Sequence, residues 1–144
     1  MSSLNLATAQ AILQAALTYA EGHDLQPVAV TVLDARGALI AAAAQDGTSL
    51  RRHGVAFAKA YGALSLGMGS RSIARRAREQ AYFIAAVSHV ADGHLIPAPG
   101  GVLIRDGSDV IGAVGISGDT SDNDEAAALH ALESAGLVGD PGSD

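Results

Sequence analysis

Five histidines and one lysine carry most of the chemical potential of this 144-residue chain: His23, His53, His89, His94, His130 and Lys59. A neutral imidazole offers a nitrogen lone pair to a metal and exchanges protons near neutral pH. The chain has no cysteine, so thiolate nucleophiles, disulfides and cysteine-held metals are excluded. His89 and His94 bracket the loop ahead of Pro97. Their five-residue separation is not the one-face spacing of a helix, so a loop must bring them together if they act jointly. The chain shows no HExxH or comparable metal pattern. His23 and His130 read as surface or capping residues, and that is the plainer account of His89 and His94 too.

Lys59 lies between Ala58 and Ala60, in the middle of an expected helix and among apolar positions. A lysine there is costly to bury without a partner. Either it holds an anionic group, such as a substrate carboxylate, or it pairs with Asp34 or Asp46 as a structural bridge. His53 opens the same helix beside Arg51 and Arg52, whose charges favour its neutral form. Positions 53, 56 and 60 share one stripe of that helix, and 52, 55 and 59 the neighbouring one. Lys59 and His53 are therefore the two candidate catalytic residues.

Pro97, Pro99, Gly100 and Gly101 form a second kind of feature. The prolines stiffen the chain, and the glycines permit unusual φ and bare their N–H groups. A ligand pocket is expected beside this segment, with Pro99, Gly100 and Gly101 at its wall. A tight turn into a strand explains the same residues. Ser117 lacks the GxSxG setting of a nucleophile, and Asp119, Asp122, Asp124 and Glu125 read as cap and first-turn acids of a helix.

These residues need elements to position them. Apolar spacing predicts a helix over 6–21 with Asn5 as N-cap and Gly22 as stop. Residues 28–33 and 38–44 read as a hairpin turning at Gly37. A helix follows a Ser49 cap over 50–66, then a break at 67–70 and a helix over 71–81. Residues 82–90 fit a strand or a helix end equally. Residues 101–105 and 109–117 form a hairpin around Asp106-Gly107-Ser108, with a final helix over 124–135 and a disordered tail over 138–144. Two hairpins among helices imply an α+β fold with an antiparallel sheet, in one domain spanning 1–144.

Nearly half the residues are apolar, but many are alanine, and aromatics are 3%. Such a core buries little area per residue at about 25 cal/mol per Å², so an oligomer interface is expected to add burial. A net charge of −6 argues against nucleic acid as a partner. No apolar run reaches bilayer length, and the N-terminus lacks the layout of a signal peptide; a cytoplasmic location without a membrane partner is the expectation.

Four segments together resemble the GlcG/HbpS family, often labelled a haem-degrading domain. They are Val30–Gly37 with its Asp34-Ala35-Arg36-Gly37 turn; Asp46-Gly47 followed by Ala58-Lys59-Ala60; Pro97–Ile104; and Val110–Gly118 with the acidic step Asn123-Asp124-Glu125. The match spans about residues 4–137, with Leu103 where the family usually has proline. The resemblance implies a profilin-like fold, a five-stranded antiparallel sheet flanked by helices, and assembly into dimers or larger rings. It also implies a small-molecule ligand, with haem the first choice and His89 and His94 the candidate axial ligands. Lys59 is then suited to a propionate. Two other functions stay open on the residues: an enzyme without cofactor acting on a small carboxylate or aromatic intermediate, and an oligomeric accessory subunit.

Overall fold

The computed structural model describes residues 3–144; Met1 and Ser2, the start of the segment read above for a leader, lie outside the described residues. Helix α1 (Leu6–Gly22) begins where expected, with the Asn5 side chain accepting a hydrogen bond from Thr8 N at 2.8 Å. Strands β1 (Ala29–Asp34) and β2 (Leu39–Ala44) form the first hairpin, and β3 (Gly101–Asp106) and β4 (Asp109–Ser117) the second. Between them lie α2 (Arg52–Leu66), α3 (Ser70–Glu79) and α4 (Ala81–Val90); α5 (Ser121–Ser134) and β5 (Val138–Asp140) complete the chain. The five strands pair antiparallel in the order β2-β1-β4-β3-β5. The α+β class and the five-stranded antiparallel sheet with flanking helices are thus as expected.

Strand alternation sorts the core into two layers. Val30, Val32, Val102, Ile104, Val114 and Ile116 face α1 and α5 and meet their small buried faces, including Ala9, Ala16, Ala127 and Ala131. Leu33, Leu103 and Ala113 face α2 and pack on Ala60 and Ala63. On the α2 side the sheet also carries Gly101 and Gly115. A Cβ at Gly115 would overlap the Ala56 carbonyl, and one at Gly101 the Lys59 carbonyl. Backbone therefore rests on backbone, which is how a chain poor in aromatics closes its interior. Gly67, in the left-handed region at φ 70°, ends α2 at the expected break.

Four expectations change. Residues 82–90 are helical throughout α4, packed through Ile84 on Ile73 and Leu95. The last helix starts at Ser121, capped by Thr120, whose side chain accepts from Asn123 N. The N-cap of α2 is Arg51, without a side-chain cap, rather than Ser49. The tail is ordered: β5 pairs with β3 as Leu103↔Asp140, Ile104↔Gly139 and Arg105↔Val138. The edge of β3 offers free ladder groups, and Gly139 lacks the side chain that would strike Leu129, Leu132 and Val102. Beyond it, Pro141 O accepts from Arg71 N, and Ser143 N donates to Ser72 Oγ at 2.8 Å. Composition alone reads Gly-Asp-Pro-Gly as loose chain; these partners lie far away in sequence.

Candidate functional site

Lys59 is buried, and its partner is neither Asp34 nor Asp46 but Asp124. Its Nζ donates to Asp124 Oδ2 at 3.2 Å and to the Ile116 carbonyl at 2.9 Å. Both charged side chains are 3% exposed or less. Helix α2 brings Lys59 across β4, and the first turn of α5 delivers Asp124 from the other side. The remaining oxygen of Asp124, Oδ1, accepts from Asp119 N at 3.0 Å. Burial pushes the Lys59 ammonium below the usual lysine range against the pull of Asp124, and Arg52 adds repulsion. Burial pushes the Asp124 carboxyl up, against Lys59 and the N–H groups of Asp119 and Gly118. Asp34 instead serves its own turn, accepting from Arg36 N and Ala38 N.

The Gly100-Gly101 step closes over this pair. Gly100 holds φ 122°, and a Cβ there would come within 2.8 Å of Lys59 Nζ. Gly101 N donates to Ser70 Oγ at 2.7 Å, and Gly100 O accepts from Ile116 N. Both residues are buried. Of the backbone groups expected to face a ligand, Gly101 N is thus occupied by α3, while Gly100 O is held by β4. Pro97 does border a groove of about 320 Å³ with Ala77, Ala81, Ile84, Ala85 and Leu95, and no histidine or charged group lines it. Pro99 is half-buried beside it in sequence.

Two turns before Lys59 on its stripe, Arg52 reaches β4 and donates to Ser117 Oγ at 3.1 Å. The i, i+7 spacing of Arg52 and Lys59 was the signal for this alignment. Ser117, read as a polar strand end, is fully buried.

The histidines separate. His53 is exposed on the first turn of α2, its Nδ1 bonded to the Leu50 carbonyl at 3.0 Å. His94 is exposed, edge-on to Phe57 and Tyr61 with ring centroids 5.0 and 5.6 Å away. His89 sits on the outer side of α4's last turn. The two histidines read as bland are the ones brought together. His23 stacks on Tyr19 with centroids 3.8 Å apart, and the His130 ring of α5 lies 4.9 Å from that of Tyr19. All three line a mainly apolar pocket of about 540 Å³ between α1 and α5, with Ala11, Ala15 and Thr18. His23 Nδ1 lies 2.9 Å from the Tyr19 carbonyl. A carbonyl only accepts, so Nδ1 carries the proton and Nε2 keeps its lone pair in the neutral ring. The i, i+4 spacing of Tyr19 and His23 is visible in sequence; the approach of His130, 107 positions on, is not.

The family model described as "Haem degrading protein HbpS-like" matches residues 4–133. The chain belongs to the HbpS-like family. No curated protein sequence matches it. Among solved structures, PduOC in its haem complex superposes with a TM-score of 0.85 at 22% identity, covering 94% of this chain and 97% of that one. Protein ORFY of Klebsiella pneumoniae gives 0.85 at 25% identity, covering 94% and 92%. HbpS gives 0.81 at 21% identity, covering 93% and 91%. These three solved chains share the fold of the present one over nearly its whole length, which is the fold the sequence resemblance implied.

Proposed function

We propose that this HbpS-like chain is a small-ligand-binding protein that takes haem, or a similar planar anionic ligand, on the α1/α5 face at His23 and His130. One observation carries the reading: two histidines lie against one tyrosine ring in a mainly apolar pocket of about 540 Å³, and one has Nε2 free. The residues fit the group. Haem needs an apolar bed for its ring and an imidazole nitrogen for its iron. Ala11, Ala15 and Tyr19 supply the bed, and His23 and His130 supply the donors; Thr18, bonded to Gln14, lies at the polar rim. When bound, haem supplies redox and ligand-binding chemistry through its iron. The chain's own part is to hold the tautomer of His23 and to cover one face of the ring. The relative solved with haem and the family description support this choice of ligand.

Hemin added to the protein is expected to give a saturable Soret shift that weakens at least tenfold in His23→Ala, in His130→Ala, or in both. His89→Ala and His94→Ala, the ligands favoured by the sequence, serve as the comparison. Loss of the shift in those two variants alone would move the site to the His94 loop and defeat the assignment made here.

Assembly into a dimer or ring belongs to the same reading. His23 and His130 are exposed, so a ring lying on them presents its second face to solvent. A second copy offering the same α1/α5 face would cover it.

A further inference from the structure

Another pocket lies where the loop after α1 and the loop before α2 meet the end of β4. It has a volume of about 300 Å³ and is lined by Gln26, Pro27, Gly47, Ser49, Arg52 and Gly118. Arg52 is its only charged lining residue. The guanidinium is half-buried and spends Nη1 on Ser117 Oγ. No carboxylate lies within ion-pair distance of it among the described residues. Two nearby acids are committed elsewhere, and Asp46, next to Gly47, makes no ion pair with Arg52. Asp124 is paired with Lys59, and Asp119 accepts from Gln26 N at 2.7 Å, Thr120 N and Asn123 Nδ2. A partly desolvated arginine with spare donors facing a polar cavity lacks the counter-charge that such a group normally has.

We propose that this pocket binds the carboxylate of a small monocarboxylic acid. A guanidinium presents a planar edge with parallel N–H donors that matches a carboxylate in two hydrogen bonds. Nη1 is tied to Ser117, so the free edge runs through Nη2. Ser49 adds a hydroxyl at the rim. Charge selects the ligand: one uncompensated cation calls for one negative charge. A phosphate dianion would meet Asp119, whose bonds to Asn123, Gln26 and Thr120 hold its carboxyl below the usual range and therefore ionised. The volume admits an acid of a few carbon atoms, since a water-sized site needs about 30 Å³ per molecule. This site shares no lining residue with the His23–His130 pocket and stands without it.

Amide NMR of the full chain, titrated with sodium acetate at constant ionic strength in sodium chloride, tests the proposal. Saturable shifts of the Gly47, Ser49 and Gly118 amides are expected, weakened at least tenfold in Arg52→Gln and less in Ser49→Ala. Arg52→Lys keeps the charge and loses the fork, so its affinity should fall between those of the native chain and Arg52→Gln. Inorganic phosphate is the competing probe. Tighter binding of phosphate than acetate, shifts that chloride reproduces, or acetate shifts unchanged in Arg52→Gln and Arg52→Lys would each overturn it. Hemin binding measured on the same variants reports the other pocket, so failure of one reading is separable from failure of the other.

Discussion

At the residue scale the chain's single lysine was recognisable as anomalous, because an alanine-flanked helix position is a poor place for an ammonium. Its partner was not recognisable. Asp34 and Asp46 were nearer in sequence, while Asp124 belongs to a helix that only the closed sheet brings across. Breaking a buried pair leaves the other charge stranded at a cost of about 3–5 kcal/mol. Lys59→Met is therefore expected to lower the unfolding free energy by that order in urea titrations. The pH profile gives a signature. Burial already raises the folded-state pKa of Asp124, and removing Lys59 removes a cause that lowers it. A folded pKa above the unfolded one favours the fold below the unfolded pKa, about 3.9, and that benefit is lost as pH rises through the folded value. Lys59→Met should thus regain part of its lost stability on acidification from neutral pH toward about pH 4. Lys59→Met joined to Asp124→Leu should be less damaged than Lys59→Met alone. A second residue-scale outcome concerns Gly101. Its substitution by alanine drives a Cβ into the Lys59 carbonyl, and is expected to cost about 1–3 kcal/mol or more, as overpacking does, with the hemin response at the distant α1/α5 face retained.

At the element scale, periodicity and turn chemistry carried the reading. The Asn5 cap, the two hairpins and the break after Leu66 stand where hydrophobic spacing and glycine placed them. The readings that changed lie where local signals are weak. Residues 82–90 (YFIAAVSHV) are apolar enough for either state, and contacts of Ile84 with Ile73 and Leu95 decide for helix. The glycine-rich tail becomes β5 because β3 has an edge to fill and Arg105 finds Asp140 at 2.9 Å. Removing residues 138–144 strips that strand and also the Arg71–Asp144 contact. Such a variant is expected to melt several degrees lower by circular dichroism, and to associate more readily through the bared β3 edge. An unchanged melting temperature would mean that β5 adds no stability to the sheet.

At the scale of the whole molecule, the sheet with α1 and α5 on one side and α2 on the other places two pockets apart. The histidine pocket is open, so haem bound there is expected to drive pairing of two chains, seen in light scattering as a doubled mass on adding hemin. His23→Ala combined with His130→Ala should abolish that doubling. Residues far from that pocket, including His89 and His94, should leave it intact. By itself the sequence determined the fold class, the family, most element boundaries and the residue types available for chemistry, because these follow from short-range periodicity, turn preferences and composition. Only the tertiary structure decided which groups meet. A ligand site was expected beside Pro97–Gly101; there Gly101 N is spent on Ser70 and Gly100 O on Ile116, and the glycines admit the close approach of Lys59. His23 and His130 come together because α1 and α5 pack side by side over the same sheet face, and Arg52 meets Ser117 because α2 lies across β4. Contacts between residues tens of positions apart depend on how layers pack, and packing is a property of the assembled chain rather than of any local run of residues.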